Sequence, residues 1–379
     1  MTTKRMLLGG LTAAALATGA AAEPVKVGMI TTLSGGGAGL GIDARDGFLL
    51  ALKDAPADAI ELVIEDDQQA PDVAVQLADE MIQSEEVDVL TGIIWSNLAM
   101  AVVPAAVQQG KFYLSVNAGP SALAGAQCHE NYFNVAWQND NLHEAAGAYA
   151  NDAGYANSFI MAPNYPAGTD ALAGYKRMYD GELAGEVYTQ LGQTDYAGEI
   201  AQIRASGADS VFIFLPGGMG ISFMKQYAES GVDIPLIGPG FSFDQDILGA
   251  VGEAALGVRN TAQWSPDLEN EANQAFVEAF KAEYGRIPSL YASQGYDTAK
   301  LLLSAIETAD IADQDAFREA LRAADFESTR GDFEFGPNHH PIQDIYVREV
   351  VEEDRVYTNR VVGTALEDHA DAYAAECQM

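Results

Sequence analysis

The residues Trp95-Ser96-Asn97 stand where an apolar run, Val87–Ile94, meets a small-residue helical pattern, Leu98–Gln109. A hydroxyl, a carboxamide and the first free amides of a helix form a set of neutral donors suited to an anion, and the indole beside them offers a flat apolar face. The chemistry on offer is capture of a carboxylate rather than its conversion. A second polar break follows the next apolar run, Phe112–Val116, at Asn117-Ala118-Gly119-Pro120-Ser121.

The second half of the chain has matching positions. Asn164-Tyr165, Pro216-Gly217-Gly218 and Gly238-Pro239-Gly240-Phe241 each end a β-rich run. Tyr165 and Phe241 supply further rings, while Gly217 and Gly240 let backbone approach a ligand with no Cβ in the way. Arg45, in the first strand-to-helix region, is the one cation nominated for an anionic ligand.

Catalytic patterns are weak by comparison. The loop "SGGGAGLGIDARDG" contains no G-x-G-x-x-G, and the chain has no G-x-x-x-x-G-K-[ST] phosphate cradle. Ser222 and Lys225 spell S-x-x-K inside a helical pattern without its companion motifs. His339-His340, between Pro337 and Pro341, are expected to face solvent, and Asp66-Asp67 to belong to a loop. Gln294 and Tyr296 are placed on the hinge-side wall of a cleft. No catalytic residue, metal site or cofactor is assigned.

These residues need elements to hold them. Runs at Val25–Ile30, Ile60–Ile64, Val87–Ile94, Phe112–Val116, Ser158–Ala162, Val211–Leu215 and Pro235–Gly238 mostly precede helical patterns, which is the βαβ organisation of a parallel sheet. In such sheets ligands lie beyond the carboxyl ends of the strands, where the polar breaks are. The alternation runs through twice, and 379 residues suit two domains. Crossings are expected near Trp137–Asn141, with Asn139 or Asp140 capping the next helix, near Gln263–Asp267 before a helix over Glu269–Tyr284, and near Ile345–Glu349 in an alternating, antiparallel ending.

Lys4 and Arg5, an apolar run from Met6 and Ala-Ala-Ala before Glu23 have the layout of a secretory leader, with cleavage expected after Ala22. No Cys follows it, so no lipid anchor is expected there. Cys128 and Cys377 are the only cysteines. In an exported chain they favour a disulfide, two unpaired buried thiols being the alternative. Formal charge is −35, and loss of Lys4 and Arg5 makes it −37 by taking the basic count from 20 to 18 against 55 acids. Such a surface repels nucleic acid and has no polybasic patch for anionic lipid.

The opening "VKVGMITTLSGGGAGLGIDARDGFLLAL", the segments "EDDQQAPDVAVQLADEMI", "LTGIIWSN", "NAGPSA" and "YASQGYDTAKLLLSAI", and the closing "FEFGPNHHPIQDIYVREV" resemble the periplasmic branched-chain amino acid-type binding proteins of ABC transporters. The likeness spans the whole chain after the leader. It implies an α/β type I periplasmic binding fold, with two doubly wound parallel-sheet lobes joined by three hinge crossings. Lobe 1 would be residues 23–138 plus 266–345, and lobe 2 residues 139–265 plus 346–379.

The resemblance also implies a soluble periplasmic monomer that delivers a small ligand to an inner-membrane ABC permease. It assigns the ligand carboxylate to Ser96 and Asn97, further polar contacts to Asn117 and Ala118, and an aromatic cover to Tyr165. Amino acid binders carry an acid where Gly240 stands, and an ammonium buried without a carboxylate costs several kcal/mol. Similarity to the aromatic-carboxylate subgroup, with Trp95, Tyr165 and Phe241 as walls, makes a benzoate- or cinnamate-like acid the expected ligand. The alternatives are an amino acid in the same cleft, or an exported enzyme or sensor domain.

Overall fold

The computed structural model describes residues 23–379, so the leader expected over residues 1–22 lies outside the described residues. The first stretch runs β1 (Val25–Thr31), α1 (Ala38–Leu52), β2 (Ile60–Asp66), α2 (Pro71–Gln83), β3 (Val89–Thr91), α3 (Ser96–Gln108), β4 (Phe112–Ser115), α4 (Ser121–Ala124) and β5 (Tyr132–Asn134). Its strands form one parallel sheet in the order β2-β1-β3-β4-β5. The chain then crosses to a second lobe.

That lobe contains α5 (Asn141–Asp152), β6 (Asn157–Pro163), α6 (Pro166–Met178), β7 (Glu182–Thr189), α7 (Ala197–Ser206), β8 (Ser210–Ile213), α8 (Gly218–Ser230), β9 (Leu236–Pro239), α9 (Gln245–Val251) and β10 (Arg259–Ala262). The chain returns for α10 (Glu271–Tyr284), α11 (Leu290–Thr308), α12 (Gln314–Ala323) and β11 (Glu334–Phe335), then ends with β12 (Pro341–Glu353) and β13 (Val356–His369). The second sheet is ordered β7-β6-β8-β9-β10-β12-β11, with β13 on β12. Pairing is parallel from β7 to β10 and antiparallel at β12. This is the α/β, two-lobe architecture the sequence implies.

Apolar strand residues bury one face of the first sheet against late helices. Val27, Met29, Val89 and Phe133, with Phe48 of α1, share a core with Ala299, Leu302, Phe317 and Leu321. Between α1 and α11 the backbones touch: a Cβ on Gly47 would sit 1.9 Å from the Ala292 carbonyl oxygen, and one on Gly295 1.9 Å from that of Ala44. Only glycine permits that approach. Helix ends follow ordinary rules, with the Asn270 side chain accepting from the Asn273 amide and Gly285 closing α10 in the left-handed region. The cap is Asn270, so α10 starts two residues later than the expected Glu269.

Two expectations about the ending need correction. Residues 345–349 do not form a crossing; they pair with β10 and β13 inside the second sheet. The chain changes lobes earlier, at Gly336–Gln343, where Arg330 Nη1 and Gln343 Nε2 both donate to the Ala136 carbonyl of the first crossing. His339 and His340, expected in solvent, are 3% and 1% exposed. His339 stacks on Phe133 with ring centres 4.1 Å apart, and Asn134 donates its amide to the His339 carbonyl.

The tail also departs from the expected lobe 2. After His369 it returns to the first lobe, where Cys377 is bonded to Cys128. On the way Asn338 donates to Asp371, and the Tyr373 hydroxyl donates to Asp140. The strap therefore touches both lobes.

Candidate ligand-binding cleft

Between the lobes lies a small, tightly closed cavity. Its lobe 1 wall begins where β3 ends. Gly92 turns the chain with φ +102°, a value only glycine adopts without strain, and Trp95 stays extended as the residue before α3. Trp95 Nε1 donates to Thr32 Oγ1 at 3.0 Å, and that hydroxyl donates to Asp67 Oδ1 at 2.7 Å. Asp67, in the loop after β2, is therefore a buried anchor for the indole.

Ser96 follows on the first turn of α3. Its hydroxyl accepts from Asn139 Nδ2 at 3.1 Å, leaving its own proton free for a ligand. Asn139 comes from the first crossing and also donates to Asp170 Oδ2 at 2.9 Å. Asp170, on α6, accepts from the amide and hydroxyl of Ser121, so lobe 1 and lobe 2 are latched beside the cavity. Asn117 Nδ2 clamps the Ile94 carbonyl at 2.6 Å while its Oδ1 is buried without a partner among the described residues.

The lobe 2 wall is aromatic. Tyr165 starts α6 and faces Trp95 at 6.2 Å between ring centres; it stacks on Phe214 at 6.2 Å and 12°. Phe214 meets Phe241 edge-on at 5.6 Å, and Phe241 meets Trp137 at 4.4 Å. His143, on the first turn of α5, packs against Phe214 at 4.9 Å. Tyr291 enters from the start of α11, 6.4 Å from Phe241. Burial holds the Tyr165 and Tyr291 phenols far above their ordinary range and pushes the His143 imidazole down to about 3. These groups are therefore neutral at every physiological pH.

Of the residues singled out in the sequence, Trp95, Ser96, Asn117, Tyr165 and Phe241 line the cavity. The other five do not. Asn97 is not among the lining residues, and its buried Oδ1 has no partner among the described residues. Ala118 is committed to the fold, its carbonyl accepting from Ser115 Oγ and Tyr132 Oη. Gly217, at φ +61°, presses on the Gly36 carbonyl across the lobe boundary, and its neighbour Pro216 lines the cavity instead.

Gly240 leaves room for something other than a ligand. A Cβ there would come within 2.7 Å of Arg348 Nη2, because the guanidinium of β12 fills the space behind it. Arg348 is paired with Asp244 at 3.1 Å and bonded to Asn260 and the Trp264 carbonyl. Arg45 is the clearest correction. It pairs with its neighbour Asp46 at 2.7 Å, its side chain 30% exposed, and contributes nothing to the cavity. Gln294 is buried outside the cavity lining, and Tyr291, one turn earlier on α11, takes the position expected of it.

A buried acidic knot stands beside the cleft. Asp246 on α9 packs against Gly39 of α1, with both carboxyl oxygens covered and unpartnered among the described residues. Burial first, then the charges of Asp244 and Asp43, push its carboxyl well above the usual carboxylate range. Two nearby cations are engaged elsewhere, Arg286 with Asp43 and Asp46 and Arg348 with Asp244. The folded state thus binds a proton that the unfolded chain releases near pH 4. Stability is full below that pH and is lost as pH rises through the folded value. Urea midpoints should fall as pH rises above the unfolded carboxyl range, and Asp246→Asn should flatten the fall; an unchanged slope would mean that other carboxyls carry it.

The sequence matches the family described as Periplasmic binding protein over residues 24–355. A Leu/Ile/Val-binding protein homolog 6 from Brucella melitensis biotype 1 is 30% identical, covering 95% of this chain and 97% of that protein. A Rhodopseudomonas palustris ABC transporter solute-binding protein crystallised with benzoate is 32% identical, covers 94% of this chain and all of that one, and superposes with a TM-score of 0.89. Another from Rhodopseudomonas palustris BisB5, in complex with 3,4-dihydroxybenzoic acid, is 29% identical over 92% of this chain and 99% of that one, with a TM-score of 0.84. Two α/β lobes closing over a cleft, together with a match across nearly the whole described chain, establish that this protein belongs to the periplasmic binding protein family and is a solute-binding protein of an ABC transporter.

Proposed function

We propose that this protein is exported, with residues 1–22 removed, and as a periplasmic monomer captures a small aromatic carboxylate for an inner-membrane permease. The observation that carries the reading is the cavity lining, which holds six phenyl, phenol or indole rings, one imidazole and no carboxylate, lysine or arginine. A ligand ammonium would find no counter-charge there, and a buried unpaired charge is strongly disfavoured. The ligand ring is assigned to the aromatic wall of Trp95, Tyr165, Phe214 and Phe241. Its carboxylate is assigned to Ser96 and the free amides at the start of α3, where the helix dipole favours negative charge.

The benzoate and dihydroxybenzoate complexes of the two Rhodopseudomonas proteins support this choice of ligand class. The branched-chain reading is favoured only by the names of curated relatives. Calorimetric titration with benzoate, hydroxybenzoates, cinnamate, leucine and valine tests the choice. Binding of the aromatic acids with no heat from the amino acids is the expected result, and the reverse pattern would sink it. Trp95→Ala should weaken an aromatic acid by about tenfold or more, since a lost ring contact and its buried area are worth at least 1–2 kcal/mol.

A further inference from the structure

His143 is a histidine at the first turn of a helix, 1% exposed, with walls made of phenylalanine. Phe212 lies at 5.7 Å and 90°, Phe214 at 4.9 Å and 67°, and Phe241 at 5.9 Å. Its Nδ1 is covered and has no hydrogen-bond partner among the described residues. Buried polar groups are nearly always bonded, so an imidazole left unsatisfied by its own protein is unusual. The fold does not require it there, because a phenylalanine would complete the same aromatic packing. The ring also lines the cavity.

The ring is neutral, burial having depressed its basicity, so it carries one N–H and one lone pair. An orphaned buried N–H is the costlier and rarer state, which puts the lone pair on the sealed Nδ1 and the proton on Nε2. The three phenylalanines packed on the ring offer that N–H no acceptor. A carboxylate is poorly served by a single neutral donor. It has several donors across the cleft at Ser96 and the start of α3.

We infer that the ligand ring carries a hydroxyl on the edge away from its carboxylate, and that His143 is the residue that selects for it. The inference rests on the aromatic-carboxylate reading of the cleft. Lobe 1 then holds the acid end and lobe 2 the phenol oxygen, so a hydroxylated acid spans both lobes, whereas benzoate leaves the imidazole unmet. A site built to bond a hydroxyl discriminates strongly against the analogue without it, because the buried partner is stranded.

The experiment compares dissociation constants of benzoate, 3-hydroxybenzoate and 4-hydroxybenzoate for the full exported chain, its His143→Phe variant and its His143→Gln variant. In the unaltered protein one of the two phenols should bind about tenfold or more tighter than benzoate. In His143→Phe that ratio should collapse toward one, and in His143→Gln, which retains an N–H, it should recover in part. Equal affinity for benzoate and both phenols in the unaltered protein overturns the inference while leaving the aromatic reading intact. So does a preference that persists in His143→Phe. Failure of all three acids to bind overturns the aromatic reading itself. If His143→Phe does not fold, the unaltered protein and His143→Gln still decide the matter.

Discussion

Replacing Arg348 by Ala should destabilise the protein by about 3–5 kcal/mol, the usual cost of stranding one member of a buried ion pair. Arg348 and Asp244 are both fully buried, on β12 and on the loop leading into α9. The guanidinium also bonds Asn260 Oδ1 and the Trp264 carbonyl at 2.9 Å each, so its loss leaves three acceptors unmet. It removes as well the volume that Gly240 vacates, directly behind Phe241 of the cavity wall.

Urea unfolding of Arg348→Ala, Asp244→Asn and the double variant separates these effects. The double variant should recover part of the loss, because no charge is then left alone. Purely additive losses would mean that packing, not the pair, accounts for the effect. Asp244 also accepts from the Leu290 amide, so it too has a structural share and recovery should be incomplete.

Removing the Cys128–Cys377 bond should cost a comparable amount. The bonded residues are 249 positions apart, and in the chain-entropy view a loop of that length restrains the unfolded chain by roughly 5 kcal/mol. Measured values usually fall short of this, so a loss of about 2–5 kcal/mol is the expected result for a Cys128→Ser, Cys377→Ser double variant. Reducing agent should shift the unaltered protein to the same unfolding midpoint and leave the variant unmoved. A variant as stable as its parent would show that the strap contributes nothing to the balance between folded and unfolded chain.

The alternation of strands and helices was readable because parallel strands buried on both faces are continuous apolar runs, as in Val211–Ile213. β7 escaped notice for the complementary reason. Its sequence Glu182–Thr189 mixes polar and apolar residues and is half exposed at a sheet edge, with no continuous run to see. Strand-end position marked Trp95, Ser96, Asn117, Tyr165 and Phe241, all of which line the cavity.

The lining residues that went unseen had disguises. Phe214 sits in "VFIFLPGG", where one more aromatic in an apolar run reads as core. His143 reads as an ordinary residue of a capped helix, and the cue that was available is its position one turn past the first crossing. Tyr291 arrives from the third stretch of chain, and nothing local says that α11 begins at the cleft.

Arg45 and Gly240 were misjudged because their environments are decided by distant residues. Asp46 claims Arg45 only once α1 is a helix. Arg348, 108 positions along, fills the gap at Gly240 only when β12 is docked on β10. The third crossing was placed late because alternation identifies a strand but not the sheet it joins.

The division of the first lobe between two distant parts of the chain sets an order on assembly. The sheet formed by β1 to β5 is the first to leave the ribosome, yet its buried face is covered by Ala299, Leu302, Phe317 and Leu321. A growing chain cannot close that core until nearly all of it has been made. The strands from β6 to β10 form one unbroken stretch, so the half synthesised second has the means to collapse first, and the half synthesised first must wait, open and adhesive, for its missing lid.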